Sequence, residues 1–372
     1  MTARSWLALA PDPPGLALPD DLRDRDPLRG RDCGWVSQMR PFVRAFSRPG
    51  EVVFDPFCGF GTTLLAASLE GRRGLGTEID PDRAALARER LRRHGVEAEI
   101  VPGSLPQARL PARIALCLTS VPYFGCDWRG EARAGPSPGQ LPGQLYGAPD
   151  FAQYLATMRT IFHAVREALP DDGYCIAMVE NARLGDRMVA QAWELARLLG
   201  SLFEPCEERV LLYPARGAAS MGTASMDAAS TGAAVADDDP ARTDRSHEYA
   251  LVFRKRRPAL DIDGARALLR RLRADGHDLQ VYGSFLPWLD ADPAADAPPP
   301  SDIDARVDGD PERFRALLAT LVRLGFRLSL WGDPVNADVR PETVRAHGYL
   351  RAERLQGDGR RVQLDLVPRD AG

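Results

Sequence analysis

One string limits this chain more than any other: Val52-Val53-Phe54-Asp55-Pro56-Phe57-Cys58-Gly59-Phe60-Gly61-Thr62-Thr63. An apolar run enters a turn holding two glycines, and a helix-forming stretch follows. Glycine at such a turn permits backbone angles closed to other residues and lets a ligand approach the main chain. The helix start then presents N–H groups with no partner inside the helix. About twenty residues further on, Gly76-Thr77-Glu78-Ile79-Asp80 ends a second apolar run, which places a carboxylate where the ribose hydroxyls of an adenosyl ligand could be bound.

Around this string the chain alternates. Helices are expected at Val36–Phe46, Thr62–Leu69, Pro81–His94, Tyr154–Leu169 and Arg187–Leu199. Strands are expected at Glu51–Phe54, Gly74–Ile79, Ala98–Val101, Ile114–Thr119, Tyr174–Val179, Glu208–Leu212 and Tyr249–Phe253. Strands separated by helices of this length imply βαβ units and a mainly parallel sheet. Residues 1–34, rich in Pro, Asp and Arg, read as an irregular lead-in. The span from Ala215 to Ser246 has small side chains and no period that could bury a core, so a disordered insertion is expected there. A second periodic block begins near Leu260 and contains an Ala/Asp/Pro loop at Asp290–Pro300. The expected organisation is a lead-in (1–34), an α/β domain (35–257, interrupted at about 215–246) and a smaller α/β domain (259–372).

Composition narrows the classes. No stretch approaches the roughly 20 uninterrupted apolar residues that cross a bilayer. The start, MTARSWLALAPDPPG, has only a short apolar run broken by proline, so no signal peptide is expected and the cytoplasm is the expected location. The six cysteines (Cys33, Cys58, Cys117, Cys126, Cys175, Cys206) show no C-x-x-C pair and no histidine at zinc-ligand spacing, which predicts small buried side chains and no sulfur-bound metal. A net charge of −4, with Lys255 the only lysine, is not that of a general polyanion binder. Contact with nucleic acid would need a local arginine patch.

The string DPFCGFGTT resembles the cofactor motif of the DNA N4-cytosine/N6-adenine methyltransferase superfamily, usually written DPFCGSGTT, with Phe60 in place of the serine. The resemblance covers about residues 35–256. It implies a Rossmann-like SAM-dependent methyltransferase fold with a mainly parallel seven-stranded sheet. It also implies an S-adenosylmethionine (SAM) site built by Asp55, Phe57, Gly59, Gly61, Thr62, Thr63, Glu78, Asp80 and Ser104, although the acidic residue the family usually has after Gly103 is absent. Leu118-Thr119-Ser120-Val121-Pro122-Tyr123-Phe124 resembles the same family's catalytic loop in its TSPPY form, with Val121 at the first proline. An exocyclic amino group is a poor nucleophile because its lone pair is delocalised into the ring. Acceptors that hold its hydrogens favour sp³ geometry and aim the lone pair at the methyl donor. The resemblance assigns Ser120 the side-chain acceptor, Val121 and Pro122 the loop backbone, and Tyr123 the face on which an extruded base stacks. Cys126-Asp127-Trp128-Arg129 and Tyr146 are candidates to touch the target.

A second constellation lies near the C-terminus. Leu279–Ser284 ends a strand in Gly283-Ser284, Asp302-Ile303-Asp304 opens another, and Asp365 sits inside the alternating run Arg361–Val367. Asp302 and Asp304 share one face, because strand side chains repeat every two residues. Two aspartates joined by a third can hold Mg²⁺ for attack on a nucleoside triphosphate (NTP), with Gly283 and Ser284 cradling phosphate. GS…SDID…LDL resembles the minimal nucleotidyltransferase (polymerase-β-like) superfamily over about residues 260–372.

The leading expectation is SAM-dependent methylation of an exocyclic amino group of a nucleic-acid base, DNA ahead of RNA, by a chain fused to a nucleotidyltransferase-like domain. One alternative makes the nucleotidyltransferase the effector, in a toxin or defence role, with the methyltransferase fold selecting substrate. Another treats both domains as degenerate binding modules. No membrane partner is expected, and the oligomeric state is left open.

Overall fold

The computed structural model describes residues 4–27, 29–30, 32–125, 141–184, 187–214, 247–256, 260–290, 300–357 and 360–370, with backbone only at 183 and 184. The insertion expected at 215–246 and most of the Asp290–Pro300 loop lie outside the described residues, as do Cys126–Arg129. The chain divides into two compact units, Met1–Arg256 and Arg257–Gly372.

The first unit is built on an eight-stranded sheet. Its elements are β1 (Trp6–Ala8), α1 (Asp20–Arg23), α2 (Val36–Phe46), β2 (Val52–Asp55), α3 (Thr62–Leu69), β3 (Arg73–Glu78), α4 (Pro81–Arg93), β4 (Glu99–Pro102) and β5 (Leu116–Ser120). They continue with α5 (Phe151–Ala168), β6 (Tyr174–Val179), β7 (Ala182–Leu184), β8 (Arg187–Val189), α6 (Gln191–Leu202), β9 (Glu204–Leu212) and β10 (His247–Arg254). The strand order is β1-β9-β10-β6-β5-β2-β3-β4. Within it only β10 runs antiparallel to its neighbours, inserted between β6 and β9.

The alternation of side chains along each strand explains why helices cover both faces. Phe54, Cys117, Cys175, Ala177 and Phe253 point into a core shared with α5 and α6. Val53, Leu116, Leu118, Ile176 and Val252 point the other way, into a core shared with α2, α3 and α4. A strand buried on both faces reads as a continuous apolar run, and β2, β5 and β6 do. Among the described cysteines, Cys33, Cys58, Cys117 and Cys175 are buried free thiols and Cys206 is exposed. No helix among the described residues is long and apolar enough to cross a membrane.

Three expectations are corrected. The sheet has eight strands, because Trp6–Ala8 pairs in parallel with Val210–Leu212. The lead-in is therefore not irregular: Asp12 accepts from Val36 N at 2.6 Å and Ser37 N at 2.7 Å and so caps α2 from 24 residues away. The helix expected from Arg187 starts at Gln191. Residues 187–189 instead pair with 182–184, and Ala192 N donates to Asn181 Oδ1 at 2.9 Å, fixing the first turn of α6 there.

The second unit contains α7 (Ile262–Ala274), β11 (Leu279–Tyr282), β12 (Ile303–Val307), α8 (Pro311–Arg323), β13 (Arg327–Leu330), β14 (Asp333–Val335), α9 (Pro341–His347), β15 (Leu350–Leu355) and β16 (Arg361–Pro368). Its six-stranded mixed sheet has the order β11-β12-β16-β15-β13-β14. The apolar stripes of α7 and α8 pack on it through Leu268, Leu272, Phe314, Leu318 and Leu321.

Candidate active site

The sheet order of the first unit reverses between β2 and β5. From β2 the chain steps outward through β3 and β4, and from β5 it steps the other way through β6. In open α/β sheets a ligand crevice forms at such a reversal, outside the carboxyl ends of the strands. The glycine turn follows β2 at that point and Ser120 ends β5 beside it. The two are tied directly, because Thr119 Oγ1 donates to Asp55 Oδ1 at 2.6 Å. Asp55 also accepts from Phe57 N at 3.0 Å, which folds the turn back over the strand end. Burial away from any cation pushes the Asp55 carboxyl up from its ordinary 3.8 to about 6, against the pull of these donors.

The turn has a closed side and an open side. Gly61 (φ 73°) begins α3, and a Cβ on it would meet Leu91 Cδ1 at 3.1 Å, so its bare backbone seats the turn against α4. Gly59 (φ 47°) faces the other way, and a Cβ there would meet only Phe57 O, at 3.9 Å. A cradle of this kind has room for a ligand against the main chain, and SAM fits it. Glu78, at the end of β3, stands opposite: Oε2 accepts from Gly59 N at 2.8 Å and Oε1 from Asp80 N at 2.9 Å. Each oxygen keeps acceptor capacity for a ribose hydroxyl. Burial raises the Glu78 carboxyl above its usual range, with the Asp80 and Gly59 N–H groups and Arg83 opposing the rise. Ser104 follows Gly103, whose N–H donates to Glu78 O at 2.9 Å, so it borders the same corner.

Other candidates have different work. Asp80 is the N-cap of α4, accepting from Asp82 N at 2.9 Å and Arg83 N at 3.2 Å. Thr62 points away from the cradle, donating to Gly34 O at 3.3 Å and accepting from Arg90 Nη1 at 3.0 Å. Thr63 Oγ1 is buried beside the Asp55 carboxyl, whose charged form its hydroxyl favours. The Phe57 ring packs edge-on to Phe162. Phe60 has a structural role: it is buried with Leu18, Leu22, Cys33 and Leu86, under the Arg83 guanidinium at 5.1 Å.

Sequence reasoning missed Arg90. Its side chain is wholly buried, bonding Thr62 Oγ1, Phe60 O at 3.3 Å and Leu16 O at 2.9 Å, and it straps the N-terminal segment to the glycine turn. Only its place in an otherwise ordinary arginine-rich helix could have marked it, and that carries no signal.

The corner after β5 is braced from below. Val121 N donates to Met178 O at 3.1 Å, and Tyr154 Oη, on the wholly buried Tyr154, donates to Pro122 O at 2.7 Å. Tyr123 is partly buried and its hydroxyl donates to Glu248 Oε1 at 2.6 Å. Burial first, then the neighbouring Glu248 carboxylate, hold the Tyr123 phenol well above its ordinary value. Tyr146 lies in a short 3₁₀ turn at Leu145–Gly147, and burial pushes its phenol up to about 12.

The second unit brings its candidates together but does not offer them to a metal. Asp304 and Asp365 are direct neighbours across β12 and β16. Asp365, however, receives Arg351 Nε at 3.0 Å and Nη2 at 2.9 Å, and Gln363 Nε2 at 3.1 Å. A guanidinium gripping both oxygens stands where a cation would. Gly283 (φ 74°) starts a 3₁₀ turn, but Asp304 Oδ2 lies 2.5 Å from where its Cβ would be, so a carboxylate rather than open space faces this glycine. Ser284 is exposed. Among the described residues no three His, Cys, Asp or Glu side chains could hold a metal ion. The Mg²⁺ set expected at Asp302, Asp304 and Asp365 does not fit this arrangement.

Comparison with known proteins places the likeness on the same turn. Residues 36–89 match the family model described as DNA methylase. The orphan methyltransferase M.BamHII of Bacillus amyloliquefaciens is 42% identical over 52 residues, 14% of this chain and 20% of that protein. The ribosomal protein L11 methyltransferase of Geobacter metallireducens is 31% identical over 120 residues, 32% of this chain and 38% of that protein. The chain thus spans well under half the length of these curated relatives. Among solved structures, TrmN from Thermus thermophilus superposes with a TM-score of 0.37 at 16% identity, covering 59% of this chain and 48% of that one.

Proposed function

We propose that the first unit transfers a methyl group from SAM to an exocyclic amino group of a nucleic-acid base, with DNA the favoured substrate. The observation that carries this reading is the Thr119–Asp55 hydrogen bond at the sheet reversal. It joins the strand end bearing the glycine cradle to the strand end bearing Ser120–Tyr123, so a donor in the cradle and an acceptor group at the corner would be neighbours. When bound, SAM supplies an electrophilic methyl on a sulfonium. The remaining work belongs to the chain. Glu78 holds the Gly59 turn and accepts from the ribose. Ser120 Oγ and the Val121 carbonyl accept the amino hydrogens and turn the nitrogen lone pair out of conjugation, while the Tyr123 ring supplies the stacking face. The braces from Met178 O and Tyr154 Oη keep this loop rigid where the family's first proline is replaced by Val121. The DNA methylase match over residues 36–89 supports the substrate class.

The deciding assay is transfer of tritium from labelled SAM to duplex DNA, single-stranded DNA and total RNA. Label in DNA supports the full reading, and label in RNA alone moves the substrate class. No label in either, with no SAM binding by calorimetry, removes it.

A further inference from the structure

Glu248 is a buried carboxylate to which the methyl-transfer chemistry described above gives no role. It lies near the start of β10, only 7% exposed. Three donors converge on it from α2 and from the segments after β5 and β9: Tyr123 Oη at 2.6 Å on Oε1, with Tyr213 Oη at 2.7 Å and Gln38 Nε2 at 2.6 Å on Oε2. The Gln38 amide also approaches Met178 Sδ at 3.3 Å, and Trp35 packs edge-on to Tyr213 with ring centres 5.3 Å apart. No Arg, Lys or His ion pair to Glu248 occurs among the described residues, so its compensation is by neutral donors. A buried carboxylate is costly where packing alone is needed, because an apolar residue of similar size would fill the space without desolvation.

We propose that Glu248 is a positioning residue for methyl transfer: it pins the hydroxyl end of Tyr123 and so fixes the plane on which the target base stacks. This rests on the methyltransferase reading above. A tyrosine held only at its backbone end can tilt about its side-chain bonds. Tilting the ring by some tens of degrees would carry the amino group of a stacked base by more than about 1 Å, and a misplacement of that size costs about 10²-fold in rate. The second oxygen of Glu248, gripped by Tyr213 and Gln38, makes the anchor itself stationary. Sequence gives no hint of this, since His247-Glu248-Tyr249 reads only as the opening of an apolar strand.

The test uses the full chain with tritiated SAM and either DNA oligonucleotides or total RNA, whichever the wild type labels, comparing Glu248→Leu, Glu248→Gln, Tyr123→Phe and the double variant Glu248→Leu/Tyr123→Phe. Glu248→Leu and Tyr123→Phe are each expected to lower kcat by about 10- to 100-fold while SAM affinity by calorimetry stays within about twofold. The double variant should lose no more than the larger single, because both remove one interaction. Glu248→Gln, which can still accept from Tyr123, should recover part of the loss. Wild-type kcat in Glu248→Leu, multiplying effects in the double variant, or a parallel fall in SAM affinity would each overturn the proposal while leaving the methyltransferase reading intact. Should Glu248→Leu fail to fold by circular dichroism, Tyr123→Phe decides alone: an unchanged kcat overturns the proposal and the stated loss upholds it. A wild type that labels no nucleic acid brings down the reading itself, and this proposal with it.

Discussion

The two units each gather carboxylates at strand ends, and they treat them in opposite ways. In the first, Asp55 and Glu78 are held by hydroxyls and main-chain N–H groups, and burial raises both carboxyls. In the second, Asp365 is gripped by a half-buried guanidinium, which Asp365 in turn holds more firmly protonated than an ordinary arginine. Neutral donors leave a carboxylate net charge and lone pairs to direct at a ligand. A bidentate arginine neutralises that charge and occupies one acceptor site on each oxygen. Acidic residues at a sheet edge therefore say little about chemistry until their partners are known, and here the partners separate carboxylates held by neutral donors from one held in an ion pair.

The largest effect expected from breaking this contrast is in the second unit. Arg351→Met should strand Asp365 and destabilise that unit by about 3–5 kcal/mol, as loss of one partner of a buried pair does. Hydrogen exchange of β15 and β16 amides in the full chain reads it, and adding Asp365→Asn should return much of the loss. If Arg351→Met is silent, the guanidinium is not what neutralises the site.

Asp55 offers the converse. Its folded-state value of about 6 exceeds the ordinary 3.8, so the native state binds more protons than the unfolded state between those values. Asp55's own contribution to the stability of the first unit is therefore full below about pH 4 and falls by about 3 kcal/mol as pH rises to above 6, opposite in sign to that of Glu70, which Arg44 holds down to about 2. Asp55→Asn cannot ionise and should remove that slope. Urea unfolding between pH 4 and 7.5 measures it, and parallel slopes in the two proteins would contradict the assignment.

Glu78→Gln should weaken SAM binding by about 30-fold, roughly 2 kcal/mol, because an amide is a poorer acceptor than a carboxylate toward two hydroxyls. Calorimetry gives the number directly. The smallest effect is expected at Asp80: Asp80→Ala should cost about 1 kcal/mol of stability through the lost α4 cap. It should leave SAM affinity within about threefold, which separates a cap from a ligand residue.

Local signals account for what could be foreseen. Val36–Phe46, Thr62–Leu69 and Tyr174–Val179 form just where they were expected, the first by burying one apolar face against the sheet and the other two as runs buried almost throughout. What escaped notice depends on partners far away in sequence. Three residues at Trp6–Ala8 become a strand only by pairing with Val210–Leu212, and the start of α6 is fixed by Asn181. The corner after β2 and β3 was legible as a set of residue types, yet not in its division of labour. Asp80 and Thr62 look like ligands in the string, and in the fold Asp80 also caps α4 and Thr62 also bonds Gly34 and Arg90. Glu248, Arg90 and Arg351 gave no sign, since a glutamate opening a strand and an arginine among 48 basic residues are unremarkable until folding supplies their partners.

The most direct examination is a crystal structure of the full chain with S-adenosylhomocysteine, the product of methyl transfer. The ribose hydroxyls are expected on Glu78, the ligand backbone against Gly59, and the sulfur facing Ser120. Density for the ligand away from the β2–β5 reversal, or side chains filling the Gly59 cradle in its presence, would contradict it.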